Sequence, residues 1–438
     1  MQHRIPVETL GPYGRAMADA AAACVHCGFC LPSCPTYQVL GEEMDSPRGR
    51  IYLMKGVLEG ELDARAIAPH VDRCLGCLAC ESACPSGVPY HELLLPYRAT
   101  AAGAGRPWMA RLKRWLVLNT LPYPRRFRLA VRAARWTRWL RPVVPPALRP
   151  MLDLAPRHLP PARPIPETVA AVGERRARVA LLTGCVQRAM EPDINRATVE
   201  VLARNGVEVV VPRSQGCCGA LAWHTGEAAA ARAHARRLLR AFPDDVDAVI
   251  VNAAGCGSGM REYPLVFAGR EDEDAARALA ARVVDVSVFL DRLGIEPPPP
   301  LAAPLRVAYH DACHLCHAQQ VRAEPRRLLR SIEGLELVEL EDGERCCGSA
   351  GTYNLDQPDV ARALGRMKAE AVRRTDCDIV ATGNIGCIVQ LRSHLSEGAT
   401  QIGPPVLHTV QVLALAYAGK LRKAREAAGG ADLGDTSV

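Results

Sequence analysis

The chain has 438 residues, enough for two or three domains that each bury a core, and its 49% hydrophobic and 23% charged residues match an ordinary soluble protein. Eighteen cysteines with no apolar leader segment argue for a reducing, cytoplasmic setting and for metal, not for a disulfide framework. The formal net charge of +7 arises in one place: residues 101–150 hold 12 Lys or Arg and no acid, leaving 42 basic against 47 acidic residues elsewhere, so a generally basic protein is excluded and a local docking face is expected.

Residues 1–100 contain two runs, Cys24-x2-Cys27-x2-Cys30-x3-Cys34-Pro35 and Cys74-x2-Cys77-x2-Cys80-x3-Cys84-Pro85. This is the spacing of bacterial two-cluster ferredoxins, in which the fourth cysteine serves the other cluster. A cubane needs four thiolates pointing inward. Three closely spaced cysteines on a curled loop supply three, and a distant residue supplies the last. The expected ligand sets are therefore Cys24, Cys27, Cys30 and Cys84 for one [4Fe–4S] cluster, and Cys34, Cys74, Cys77 and Cys80 for the other. Two zinc knuckles or a disulfide set would leave the third x2-spaced cysteine and the Pro-tagged fourth unexplained, twice over.

Residues 101–176 form a basic connector, broken by prolines from Pro122 to Pro166, which predicts short helices followed by an extended linker. It carries Trp108, Trp115, Trp136 and Trp139. Helical spacing puts Trp108, Arg111, Leu112 and Trp115 on one side, and Arg128, Arg132, Arg135 and Trp139 on another. Arg and Trp interleaved in this way suit an anionic membrane surface, with Arg125, Arg126 and Arg128 among the docking charges. A helix packed on a partner subunit fits equally well. Nucleic acid is not expected, because no recognised binding motif accompanies the charge.

From residue 177 to 425 short β-type runs at 179–182, 207–211, 249–251, 307–309, 335–340 and 379–382 alternate with helical windows such as 227–242 and 358–373, predicting α/β structure. The run at 406–419 is too short and too interrupted to span a bilayer. This region is duplicated. Cys185, Cys217, Cys218 and Cys256 recur as Cys313, Cys346, Cys347 and Cys387, at offsets of 128, 129, 129 and 131 residues. Two repeats, 177–300 and 301–425, are followed by a flexible tail, 426–438. The whole is thus α+β: a helical two-cluster domain followed by two α/β repeats.

In each repeat the cysteines fall just after β-type runs, where α/β folds place their sites. They read either as ligands of one or two further iron–sulfur clusters or as buried thiols without a task. His310, His314 and His317 surround Cys313 and read as hydrogen-bonded scaffold more readily than as ligands. Cys316 and Cys377 have no counterparts in the first repeat and read as plain buried thiols. No glycine-rich strand–loop–helix for a flavin or nicotinamide is present, so no catalytic residue is assigned.

The order of parts resembles the glycolate oxidase iron–sulfur subunit family over nearly the whole chain. The motifs are Cys34-Pro35-Thr36-Tyr37, Ser46-Pro47-Arg48-Gly49-Arg50-Ile51, the two Cys-Cys-Gly sites and His310-Asp311-Ala312-Cys313-His314. The layout is also similar to iron–sulfur subunits of lactate and glycerol-3-phosphate dehydrogenases and to heterodisulfide reductases. The resemblance implies a partner FAD-binding subunit that oxidises a 2-hydroxyacid, delivery of electrons to a quinone or other membrane acceptor, and a peripheral place on the inner face of the cell membrane. One departure stands out: the C-x2-C that closes each repeat in the heterodisulfide reductases is lost, with Gly259 and Gln390 at its second position. That weakens the alternative of a catalytic disulfide reductase.

Overall fold

The computed structural model describes residues 3–101, 108–137, 139, 141–145, 148–153, 159–162, 164–397 and 403–424; the tail at 426–438 lies outside them. The N-terminal part is helical. Helices Gly14–Ala23 and Tyr90–Thr100 pack together, with Met17, Met54, Leu93 and Leu94 fully buried between them and helix Pro47–Leu58. Pro35 stands at the first turn of helix Pro35–Leu40, where the missing N–H is no loss, so this proline opens a helix directly behind Cys34. Its counterpart Pro85 opens none.

Each repeat is built on a parallel sheet. In the first, the strands β1 (Thr168–Val169), β2 (Ala177–Leu182), β3 (Val207–Val210), β4 (Ala248–Val251) and β5 (Val283–Asp285) lie in the order β1-β3-β2-β4-β5, with only β1 antiparallel. In the second, β6 (Leu305–His310), β7 (Leu335–Glu339), β8 (Ile379–Thr382) and β9 (Val406–His408) run β7-β6-β8-β9, all parallel. Leaving β1 aside, the two orders are the same, the structural form of the duplication seen in the cysteine spacing. The central strands are buried on both faces, which is why they read as unbroken apolar runs.

Three strands escape the sequence pattern. β1, β5 and β9 have two or three residues each, too few to show a period. The interrupted apolar run at 406–419 is β9 followed by helix Thr409–Tyr417. The polar interruption is its cap: the buried His408 side chain accepts from the Val410 N–H at 3.2 Å, while Gln411 accepts from the His408 N–H at 2.9 Å.

The repeats share one core. Val179, Leu181 and Val207 of the first belong to the same apolar cluster as Val307, Val380 and Leu413 of the second. The N-terminal helices are continuous with the first repeat through Tyr13, Trp223, Tyr263 and Phe267. Polar ties fix the seat. Arg98 donates to the carbonyls of Val71 and Cys74 and to that of His224, and Tyr353 of the second repeat donates to the Arg73 carbonyl at 2.8 Å. The connector helix Trp108–Thr120 bridges both repeats, pairing Lys113 with Asp356 at 2.6 Å and Arg114 with Glu227 at 2.9 Å.

Candidate iron–sulfur and metal centres

The two N-terminal cysteine runs curl in the same way. In each, the residues on both sides of the second cysteine take a positive φ: His26 (56°) and Gly28 (88°) around Cys27, Gly76 (64°) and Leu78 (61°) around Cys77. Glycine does this freely, whereas His26 and Leu78 are held there against local preference, which implies that the surroundings over-determine the loop.

Cysteines of the two runs come together. Cys24, Cys27, Cys30 and Cys84 line one cavity, closed by Ile51, Val88 and Tyr90 and also touched by Cys80. Cys34 is carried away from its own run. Its sulfur lies 3.9 Å from Arg50 Nη1, and Arg50 in turn faces Cys74. A convergent ring of free thiols around an apolar-walled space fits a [4Fe–4S] group, and a buried cation beside the second set fits its negative charge.

Arg50 is the residue that the sequence pattern left unread. It is 1% exposed and donates from Nε to the His70 carbonyl at 2.6 Å and from Nη2 to Asp45 at 3.3 Å. Burial opposes its charge, but Cys74, Tyr90, Cys34 and Asp45 together hold it firmly protonated. The motif Ser46-Pro47-Arg48-Gly49-Arg50 builds this arrangement. Ser46 caps the helix by accepting from the Gly49 N–H at 3.0 Å, and Pro47 opens it. Gly49 is required, because a Cβ there would stand 2.0 Å from the Glu43 carbonyl oxygen. Cys74 also accepts from the Gly76 N–H at 3.4 Å and from the Tyr90 hydroxyl at 3.7 Å. Such donors to sulfur raise a cluster's potential.

In the repeats, strand order does the gathering. Parallel strands end at one sheet edge, and the cysteines follow three neighbours: β2, β3 and β4 lead to Cys185, Cys217–Cys218 and Cys256, and β6, β7 and β8 lead to Cys313, Cys346–Cys347 and Cys387. The sulfurs of Cys185 and Cys217 are 3.5 Å apart, and those of Cys313 and Cys346 are 3.9 Å apart. The thiols of Cys217 and Cys256 hold Cys218 well below the usual thiol range; Cys346 and Cys387 do the same to Cys347. Both sites are assembled alike.

The lost fifth positions are filled. A Cβ on Gly259 would lie 2.3 Å from that of Ala220, so helix packing leaves no room there for cysteine. Gln390 is buried and committed, donating to the Ala361 carbonyl at 3.1 Å and accepting from Asn354 at 2.9 Å. Two of the three histidines near Cys313 are scaffold. His314 pairs with Ser258 at 2.6 Å and stacks on His224, whose own ring pairs with Glu262. His317 pairs with Ser82 at 2.9 Å, tying the second repeat to the Cys80–Cys84 loop. Cys77 shares an apolar cluster with Cys313, Cys346 and Tyr353, so the second N-terminal set abuts the second repeat's site. This contact between regions more than 230 residues apart has no signature in the sequence.

Residues 20–88 match the 4Fe-4S dicluster domain family, and residues 179–261 and 307–392 each match the cysteine-rich domain family. The glycolate oxidase iron-sulfur subunit of Escherichia coli (strain K12) is 37% identical over 381 residues, covering 85% of this chain and 89% of that one. The chain belongs to the glycolate oxidase iron–sulfur subunit family. A probable glycolate oxidase iron-sulfur subunit of Bacillus subtilis (strain 168) is likewise 37% identical, over 84% of this chain and 88% of its own length. Lactate utilization protein A of Oceanobacillus iheyensis is 30% identical over 54% of this chain and 96% of itself. Among solved structures, a hypothetical protein from Helicobacter pylori shares the fold with a TM-score of 0.50 at 10% identity, covering 87% of this chain and 69% of that one. Membership makes this an iron–sulfur protein of electron transfer, helical at its N-terminus with two cysteine-rich α/β domains behind.

In the connector, Trp108, Arg111, Leu112 and Trp115 form an exposed face, and Trp136 and Trp139 are exposed too. Arg128 departs from the expected free docking charge: it donates to the carbonyls of Ala189 and Pro160 and anchors the connector to the first repeat. No described helix is long and apolar enough to cross a membrane.

Proposed function

We propose that this chain relays electrons within a glycolate- or 2-hydroxyacid-oxidising complex, taking them from a partner flavoprotein and passing them toward a quinone. The observation that carries the reading is the cavity whose wall Cys84 shares with Cys24, Cys27 and Cys30, with Cys34 set apart beside the buried Arg50. Cys24, Cys27, Cys30 and Cys84 would hold one cluster, and Cys34, Cys74, Cys77 and Cys80 the other. Each bound [4Fe–4S] group supplies a one-electron acceptor and donor. The chain's own residues set direction and insulation. Cys27 is exposed and flanked by the exposed apolar side chains of Val25 and Phe29, which marks this edge as the side that meets a redox partner. Cys77 lies inside, and Arg50 stabilises the added negative charge there.

The exposed tryptophans and arginines of the connector supply a second contact, to an anionic membrane surface on the inner face of the cell membrane. A disulfide-reducing role in the manner of the heterodisulfide reductases is disfavoured by the occupied positions of Gly259 and Gln390. The test is anaerobic purification with whatever flavoprotein accompanies the chain, followed by addition of glycolate. The reading expects bleaching of iron–sulfur absorbance in the complex and none in the isolated chain. Bleaching by glycolate of the isolated chain, or none in the complex, would overturn it.

A further inference from the structure

Cys24, Cys27, Cys30 and Cys34 recur 50 residues later as Cys74, Cys77, Cys80 and Cys84, so the two curled loops correspond residue for residue. What covers them differs. Leu75 and Ala79, on either side of Cys77, are buried in one apolar cluster with Cys313, Cys346 and Tyr353 of the second repeat. The corresponding residues around Cys27 are Val25 and Phe29, and they are 64% and 68% exposed. The same face of the same loop is thus covered by protein in one copy and bare in the other. Tyr52 widens the bare patch: it is exposed, and its ring meets that of His26 edge-on with centroids 6.1 Å apart. The loop is also held in place. Arg48 donates to the His26 carbonyl at 3.1 Å and to the two carboxylate oxygens of Glu43 at 2.7 and 3.3 Å. This clamp holds His26 at its positive φ of 56°, so the patch is set before any partner arrives.

We propose that the patch of Val25, Phe29 and Tyr52 is the docking surface for the electron-donating flavoprotein, so that electrons enter the chain at the Cys27 edge. This assignment rests on the relay reading and names its entry point. A protein is the occupant because protein already covers the equivalent face of the second loop, and because apolar side chains gathered beside an exposed thiol are poorly served by water. An anionic membrane fits less well. Glu42 and Glu43 stand exposed beside the patch, whereas residues 101–150 of the connector hold no acid at all. The scale suits a redox encounter, since such interfaces bury less than about 1,200 Å² in total. In the encounter the reduced flavin is oxidised one electron at a time, the chain gains each electron, and the flavin's protons pass to solvent. The loop around Cys77, enclosed by the second repeat, is then reached from within the chain and not from a partner.

The test uses the complex purified anaerobically through a tag on the full chain, as wild type, Phe29→Asp, Tyr52→Asp and, for comparison, Trp136→Ala in the connector. Flavin per chain, iron per chain and the rate of iron–sulfur bleaching by glycolate are measured, with bleaching by dithionite as the control for intact clusters. Phe29→Asp and Tyr52→Asp should each lower flavin per chain or the glycolate bleaching rate by about tenfold or more, with iron and dithionite bleaching unchanged. Trp136→Ala should match wild type in all four. Wild-type flavin content and bleaching rate in both patch variants would overturn the proposal and leave the relay reading standing, as would loss of flavin in Trp136→Ala alone. No bleaching by glycolate in the wild-type complex would overturn both. Tyr52 lies on helix Pro47–Leu58 and not in the cysteine loop, so Tyr52→Asp decides the matter even if Phe29→Asp loses its cluster.

Discussion

Replacing Arg50 with Met should lower the reduction potential of the cluster nearest Cys34 and Cys74. The guanidinium lies 3.9 Å from the Cys34 sulfur with 1% exposure, so little solvent screens it. At an effective dielectric of about 20, two unit charges at that distance interact by roughly 4 kcal/mol. For one electron this is a ceiling of about 180 mV. Because the added electron is shared over a cluster, the expected fall is on the order of 50–100 mV. Stability should fall as well, because Asp45 is fully buried and loses one partner. It keeps Arg73 at 2.8 Å and His70 at 3.3 Å, which places the loss at the lower end of the about 3–5 kcal/mol seen when buried pairs are broken. Arg50→Lys keeps the charge but not the bond to the His70 carbonyl, so it should restore more of the potential than of the stability. The assay is a redox titration followed by electron paramagnetic resonance, with iron content as a control. A folded, iron-replete Arg50→Met chain whose potential is unmoved within about 20 mV would refute the electrostatic argument.

Two further perturbations test other parts of the account. Reversing Arg125 and Arg126 to Glu, with Trp136→Ala, should weaken binding to vesicles of anionic phospholipid by about 1 kcal/mol for each charge, less at high salt; unchanged binding in a sedimentation assay would reassign the connector to a protein partner. Asp285 caps helix Val286–Leu293, accepting from the Ser287 N–H at 2.8 Å, and burial pushes its carboxyl up to about 6 despite that bond. A folded-state value above the unfolded one favours the protonated form on folding, so this group loses stability as pH rises from about 4 through 6. Asp285→Asn should therefore flatten the change in denaturation midpoint between pH 5 and pH 7, worth on the order of 1 kcal/mol; an identical slope in both proteins would remove Asp285 from the pH response.

What could be read from the sequence followed from local pattern. The cysteine spacings, the duplication and six of the nine strands depend on residues close together in the chain, and each left a period or an offset. The short strands β1, β5 and β9 hold too few residues to leave one. Long-range contacts left none either. Nothing in the chain order places Cys77 against Cys313, turns Arg50 toward Cys34, or occupies Arg128 with the carbonyls of Ala189 and Pro160. The histidines were separable only by their surroundings. His314 and His317 are paired and His310 is not, a distinction made by Ser258, Ser82 and the fold that brings them near.

Cys27 and Cys77 sit at corresponding bends of the two curled loops, each between two residues of positive φ. Each should belong to a different cluster. The most direct test of the relay replaces one or the other with Ser in the assembled complex and measures iron per chain, flavin reduction by glycolate and reduction of a quinone. Each change should remove about one cubane's four irons and abolish quinone reduction, while flavin reduction by glycolate persists. Quinone reduction at wild-type rate in both variants, with iron undiminished, would contradict the assignment of these cysteines to an electron path.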